Sequence, residues 1–182
     1  KKNIEVLRTD RESRAVITDA GASLAGLAEA LNLPEPPQTL ACFDISNFQG
    51  KDSVASLSFF RHGLPDRRQY RKFRIRAYAE ADDPAMIHEA VSRYLQNAIN
   101  EGLALPDLIV IDGGPTQLSR ALDAARALNA PVRMVSLAKK LEEIYTAPDA
   151  DPLRIPHAHP SLRLLQRLRD EAHRFVIGTH RA

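Results

Sequence analysis

Residues 106–129, "PDLIVIDGGPTQLSRALDAARALN", join a short apolar run to an amphipathic segment through a pair of glycines. Leu108, Ile109, Val110 and Ile111 are consecutive and unrelieved by polar residues, the composition of a strand buried on both faces in a parallel sheet. After Gly114 the spacing changes to threes and fours, which reads as a helix lying behind that strand. "PVRMVSLA", residues 131–138, then returns as a second strand, so this half of the chain reads strand, helix, strand. Asp112 breaks the pattern, placing a carboxylate at the end of a run that otherwise belongs in a core.

Working outward, "EEIYTAP" and "DPLRIP" read as a hairpin around "DAD", residues 149–151. "PSLRLLQRLRDEAHRFVIGTH", residues 160–180, carries Leu162, Leu165, Leu168, Ala172, Phe175 and Val176 along one side and reads as a long terminal helix. Upstream, "TLACFDIS" and "DSVASLSFF" have strand character, although the second alternates imperfectly. "HGLPD" reads as a turn, and "QYRKFRIRAY" sets Tyr70, Lys72, Arg74 and Arg76 against Arg71, Phe73, Ile75 and Ala77 as a third antiparallel strand. From Pro84 to about Asn100 an apolar stripe returns at helical spacing, with Asp82 or Asp83 as the cap and Pro84 in the first position. "GASLAGLAEALN", residues 21–32, reads as a helical lead-in that "LPEPPQ" stops. The expected architecture is therefore α/β: an antiparallel meander plus parallel strands in one mixed sheet flanked by helices. Residues 1–35 form the lead-in and residues 36–182 the domain.

The 182 residues are 44% hydrophobic and 26% charged, enough apolar material for the core of one domain. Net charge is only +2, so affinity for nucleic acid must come from local clustering of basic residues. No apolar window is long enough for a membrane span and no signal peptide opens the chain, which points to a soluble cytoplasmic protein. The single cysteine, Cys42, excludes an intrachain disulfide and a cysteine-rich zinc site. Lys1 is not a start methionine, and the chain reads as a fragment of a longer protein.

Asp44, in "CFDIS", shares the peculiarity of Asp112: each carboxylate follows apolar residues where alternation buries it or aims it into a cleft. Two readings stay open. Each Asp caps the element after its strand, as Asp commonly does, or the two face one another on neighbouring strands and a divalent cation neutralises both. Hard oxygen donors favour Mg or Mn. The paired glycines lack a P-loop's Lys-Ser/Thr ending and read as a tight turn opening a helix. His173 sits at the edge of the terminal helix's apolar stripe, beside Arg169 and Gln166, where it can reach a strand-end site. Between Arg61 and Arg76, Arg67, Arg68, Arg71, Lys72 and Arg74 stand against the lone acid Asp66. Such a cluster suits a phosphate backbone, and equally a charged edge strand protected from pairing.

Taken in order, "CFDIS", "YRKFRI", "DDPAM", "PDLIVIDGG" followed by "QL", "LAKKLEEIY", and "LLQRLRDEAHRF" with a late "HR" resemble the C-terminal nuclease half of the UvrC family, the incision subunit of the bacterial UvrABC excinuclease. The resemblance spans roughly residues 36 to 181. It implies a ribonuclease H-like fold and a divalent-metal-dependent endonuclease that makes the 5' incision beside a lesion in nucleotide excision repair. By motif, Asp44, Asp112 and His173 correspond to the family's catalytic and metal-binding Asp-Asp-His set, with Mg or Mn as the cofactor, and Asp83 matches a further acid in a supporting role. The implied partners are damaged double-stranded DNA and UvrB, with UvrA upstream. UvrB contact is expected through segments outside this chain, which should also hold an N-terminal nuclease and a C-terminal helix-hairpin-helix pair. The alternative is a noncatalytic ribonuclease H-like module that binds DNA or protein. Two positions depart from the family pattern: Asn47 stands where a histidine usually follows "DIS", and Pro115 where a lysine usually follows the double glycine.

Overall fold

A computed structural model describes residues 2–47, 53–75 and 82–178. Its elements are α1 (Lys2–Ala30), β1 (Thr39–Asn47), β2 (Ser53–Arg61), β3 (Leu64–Pro65), β4 (Arg71–Ile75), α2 (Asp83–Glu101), β5 (Leu108–Asp112), α3 (Pro115–Ala127), β6 (Met134–Ala138), β7 (Glu143–Tyr145), β8 (Leu153–Arg154) and α4 (Pro160–Gly178). Among the described residues these strands make one 8-stranded sheet in the order β3-β2-β1-β5-β6-β7-β8, with β4 also pairing β2. β1, β2 and β4 form the antiparallel meander. β5 adds parallel to β1, and β6 parallel to β5.

Both faces of the sheet are covered, which accounts for the unbroken apolar runs. Phe43, Leu57, Ile109, Ile111 and Met134 face α2 and α3 in one core. Leu40, Cys42, Phe60, Val110 and Leu137 face α1 and α4 in the other. Because successive strand residues point to opposite faces, burial on both sides erases the polar alternation. This explains the imperfect pattern in β2, where Ala55 through Phe60 are all buried.

Several elements differ from the sequence expectation. α1 runs from Lys2 instead of starting near residue 21, since nothing in residues 2–20 breaks a helix, and it joins the core through Leu24 and Leu27, with Leu31 just beyond its end, where it meets α4. The turn at "HGLPD" is a two-residue hairpin loop, His62 and Gly63, that leads from β2 into the short β3, and a 3-10 turn, Arg67–Gln69, intervenes before β4. Asp82 caps α2 by accepting from the Ala85 N–H at 3.1 Å, leaving Asp83 in the first helical position and Pro84 in the second. The hairpin around residues 149–151 is present as β7 and β8. Arg76 and Ala77 of the third strand, and the late His180 and Arg181, lie outside the described residues.

Candidate active site

Register brings the carboxylates together. Asp44 is the sixth residue of β1, on the face that carries Leu40 and Cys42, and Phe43 pairs with Ile111 in parallel β5. One residue further along, Asp44 and Asp112 are therefore neighbours on the α4 face, Asp112 at the carboxyl end of β5 and Asp44 within the adjoining β1. Their side chains are 5% and 4% exposed. Burial, reinforced by the charge of Asp44 and a hydrogen bond between the two carboxyls, pushes the Asp112 pKa up from 3.8 to about 6, against the pull of Lys139. Two buried acids crowded in this way create a strong demand for positive charge.

Two groups meet part of that demand. His173 Nδ1 lies 3.1 Å from Asp44 Oδ2, although the imidazole itself is 55% exposed. Lys139, the first residue after β6, places its Nζ 3.3 Å from Asp112 Oδ2. The structure thus assembles Asp44, Asp112 and His173 from β1, β5 and α4. Lys139 is a member of the site that the sequence reading did not single out; its position directly after a parallel strand neighbouring β5 was the available signal.

A cleft of about 310 Å³ opens over the carboxylates, lined among others by Asp83, Gly113, Gln117, Lys139 and Lys140. Asp83, released from capping by Asp82, accepts from Asn47 Nδ2 at 3.2 Å, and Asn47 Oδ1 in turn accepts from Ser53 at 2.7 Å. Asn47 thus ties the end of β1 to the start of α2. Gly113 is required by contact: a Cβ there would lie 2.9 Å from Gln117 Cγ, and Gln117 Oε1 accepts from the Gly114 N–H at 3.1 Å. Pro115 follows as the first residue of α3, where a missing N–H costs no helical bond. The cleft's amines come from Lys139 and Lys140 in the loop after β6.

The basic stretch divides by face. Asp44 pairs with Ser56, and Ser56 with Lys72, so Lys72 stands in a row across the sheet with the carboxylates. At about 4.8 Å per strand, Lys72 is roughly 10 Å from Asp44 along that row. Its Nζ lies 4.3 Å from the ring centroid of Phe175 on α4. Arg74, two residues on, belongs to the same face and is exposed. Arg71 pairs with Leu57 on the opposite face and donates to the backbone carbonyls of Arg68 and Tyr70, both at 2.8 Å. Arg67 and Arg68 are exposed on the 3-10 turn, with Arg67 3.9 Å from Glu171.

Among the described residues, no group of three or more His, Cys, Asp and Glu side chains is already closed around a point where a metal would sit. The donor chemistry nonetheless fits a hard divalent cation: two adjacent carboxylates are buried, one is pushed toward neutrality, and a lysine ammonium has come to one of them.

A mixed sheet in this order, covered by helices on both faces, is that of a ribonuclease H-like domain. Residues 28–177 match the family model of the UvrC RNase H endonuclease domain, and the chain belongs to that family. It is 46% identical over 182 residues to UvrABC system protein C of Leptospira biflexa serovar Patoc, covering 100% of this chain and 30% of that protein. It is 49% identical over 156 residues to UvrABC system protein C of Gemmatimonas aurantiaca, covering 85% of this chain and 25% of that one. The chain thus spans less than a third of the length of these relatives. Among solved structures, Ciona intestinalis endonuclease V in complex with a 24mer DNA aligns with a TM-score of 0.45 and 12% identity, over 89% of this chain and 69% of that one. No helix among the described residues is long and apolar enough to cross a membrane.

Proposed function

We propose that this domain makes the 5' incision beside lesions in nucleotide excision repair, in the cytoplasm, as part of a longer protein that meets UvrB through segments outside residues 1–182. Residues 1–35 serve as a helical lead-in to the nuclease domain, residues 36–182. The observation that carries the reading is the buried Asp44–Asp112 pair with His173 hydrogen-bonded to it. The alternative, a noncatalytic module whose aspartates are caps, is disfavoured by the site itself: α3 is capped at Gly114, and Asp112 is turned toward Asp44 and Lys139.

Asp44 and Asp112, with His173 beside them, would hold Mg or Mn, which when bound supplies water activation and charge stabilisation for in-line displacement at phosphorus. The protein's own groups do the rest. Asp44 accepts from His173 Nδ1–H and so fixes the imidazole, leaving Nε2 as the nitrogen that can take or return a proton. Lys139 and Lys140 give the cleft positive charge for a phosphate, and Asp83 with Asn47 supports the far wall.

His173→Ala in the full-length protein, assayed with UvrA and UvrB on a lesion-bearing duplex, is expected to lower 5' incision about a hundredfold or more. Product mapping on a sequencing gel checks this. A 5' cut at the parental rate would remove His173 from the mechanism.

The division of the basic stretch gives a second expected result. Replacing Lys72 and Arg74 with Ala should make the slope of log K against log salt shallower by up to about 1.8, at about 0.9 for each phosphate that is no longer neutralised. Arg71→Ala should leave that slope unchanged. Equal effects from both changes, measured by fluorescence anisotropy over a salt series, would show that DNA does not distinguish the two faces.

A further inference from the structure

α4 carries His173, and two kinds of contact hold it in place. On one side, fully buried serines of β2 reach its backbone: Ser56 Oγ donates to the Ala172 carbonyl at 2.8 Å and Ser58 Oγ to the Leu168 carbonyl at 2.6 Å. On the other, Arg169 forms a two-pronged pair with Glu142, Nη1 to Oε2 at 2.8 Å and Nη2 to Oε1 at 3.0 Å. Both partners are nearly enclosed, at 13% and 14% exposure. A planar guanidinium gripping both carboxylate oxygens fixes orientation as well as distance.

Stability is a poor reason for such a pair, because removing two charges from water offsets much of their attraction and apolar replacements often serve as well. Glu142 also occupies a left-handed backbone conformation, φ +51°, where Gly or Asn would be less strained. The location supplies a reason. Glu142 ends the four-residue loop between β6 and β7, and Lys139, the residue on Asp112, begins it. Arg169 lies one helical turn before His173, the residue on Asp44, and its guanidinium also interacts electrostatically with Asp112. The fork therefore spans the two halves of the site.

We propose that Arg169 and Glu142 are positioning residues: their fork locks the His173 turn of α4 to the Lys139 loop and so sets the reacting geometry at Asp44 and Asp112 without touching the phosphate. This rests on the nuclease function proposed for the site. The test uses the full-length protein with UvrA and UvrB, comparing Glu142→Gln, Arg169→Gln, the double variant and Arg169→Lys. The variants should stay folded by circular dichroism, with kcat for the 5' cut reduced about 10- to 100-fold and KM for lesion DNA within about twofold of the parent, since displacements on the order of 1 Å carry such penalties. The double variant should lose no more than the worse single variant, because the two residues act as one unit. Arg169→Lys, a point charge without a fork, should not restore the rate. Hydrogen exchange should rise at residues 139–142 and 169–176 in each variant. A folded Glu142→Gln with parental kcat, or losses that multiply in the double variant, overturns the proposal; if Arg169→Gln fails to fold, Glu142→Gln decides the matter alone. Asp112→Asn run in parallel separates the two claims. If it still cuts, the nuclease reading fails; if it is inactive while Glu142→Gln cuts normally, only the positioning role fails.

Discussion

Asp44→Asn in the full-length protein is expected to lower 5' incision about a thousandfold or more while leaving the fold in place. The amide is nearly isosteric with the carboxylate, so the packing of β1 against β2 and β5 is preserved. The charge is not. Asp44 is 3% exposed and serves two partners at once, accepting from His173 and facing Asp112. Asparagine offers one oxygen and no charge, which weakens a divalent cation's hold and loosens the imidazole together. Losing several kcal/mol of transition-state stabilisation corresponds to a factor on the order of 10³ in rate. Single-turnover incision kinetics, with circular dichroism to verify the fold, check this. A loss below about tenfold would mean that Asp44 does not contact the reacting centre.

The second large effect is on stability, and its sign is opposite to that usually expected of a carboxylate. Burial and Asp44 raise the folded-state pKa of Asp112 to about 6, above its ordinary 3.8. The folded protein then binds more protons than the unfolded chain between those values, so stability falls as pH rises through that window and levels off above it. In metal-free buffer the domain should be more stable near pH 4.5 than near pH 7.5 as far as this one group is concerned, by about 1–3 kcal/mol at 1.36 kcal/mol per pKa unit. Asp112→Asn should remove that contribution, stabilising the metal-free protein at pH 7.5 while abolishing incision. Urea unfolding of parent and variant at both pH values, with chelator present, measures the difference. Identical pH dependence in the two proteins would show that Asp112 is not strained by its neighbour. A protein stabilised by losing an acid, yet disabled by the loss, holds that acid for function.

Much of this arrangement was legible in the chain because it depends on local order. β5 and β6 announced themselves as apolar runs, and α2, α3 and α4 as stripes, since periodicity directly reflects which face is buried. Asp44, after "CF", and Asp112, after "IVI", stood out as charges following apolar residues, and His173 as a stripe-edge residue. Other features needed the folded chain. Lys139 reaches Asp112 through the parallel pairing of β6 with β5, whereas Arg169 meets Glu142 only because the loop after β6 lies against α4; the two are 27 positions apart, and no spacing rule links them. The first half of α1 has helix-forming residues but few apolar anchors, so its extent could not be read from a stripe. Asp82 and Asp83 are adjacent and chemically equivalent in sequence, and one residue of helix phase decides which caps and which faces the cleft. The basic stretch read as a single patch, whereas strand alternation sends Lys72 and Arg74 to the carboxylate face and Arg71 to the other.

The nuclease reading requires Asp44 and Asp112 to hold a divalent cation between them. Calorimetric titration of Mn into the parent and into Asp112→Asn at pH 7.5 tests it most directly. The variant is expected to lack one binding site present in the parent, or to bind there at least about a hundredfold more weakly. Equal stoichiometry and affinity in the two proteins would contradict it.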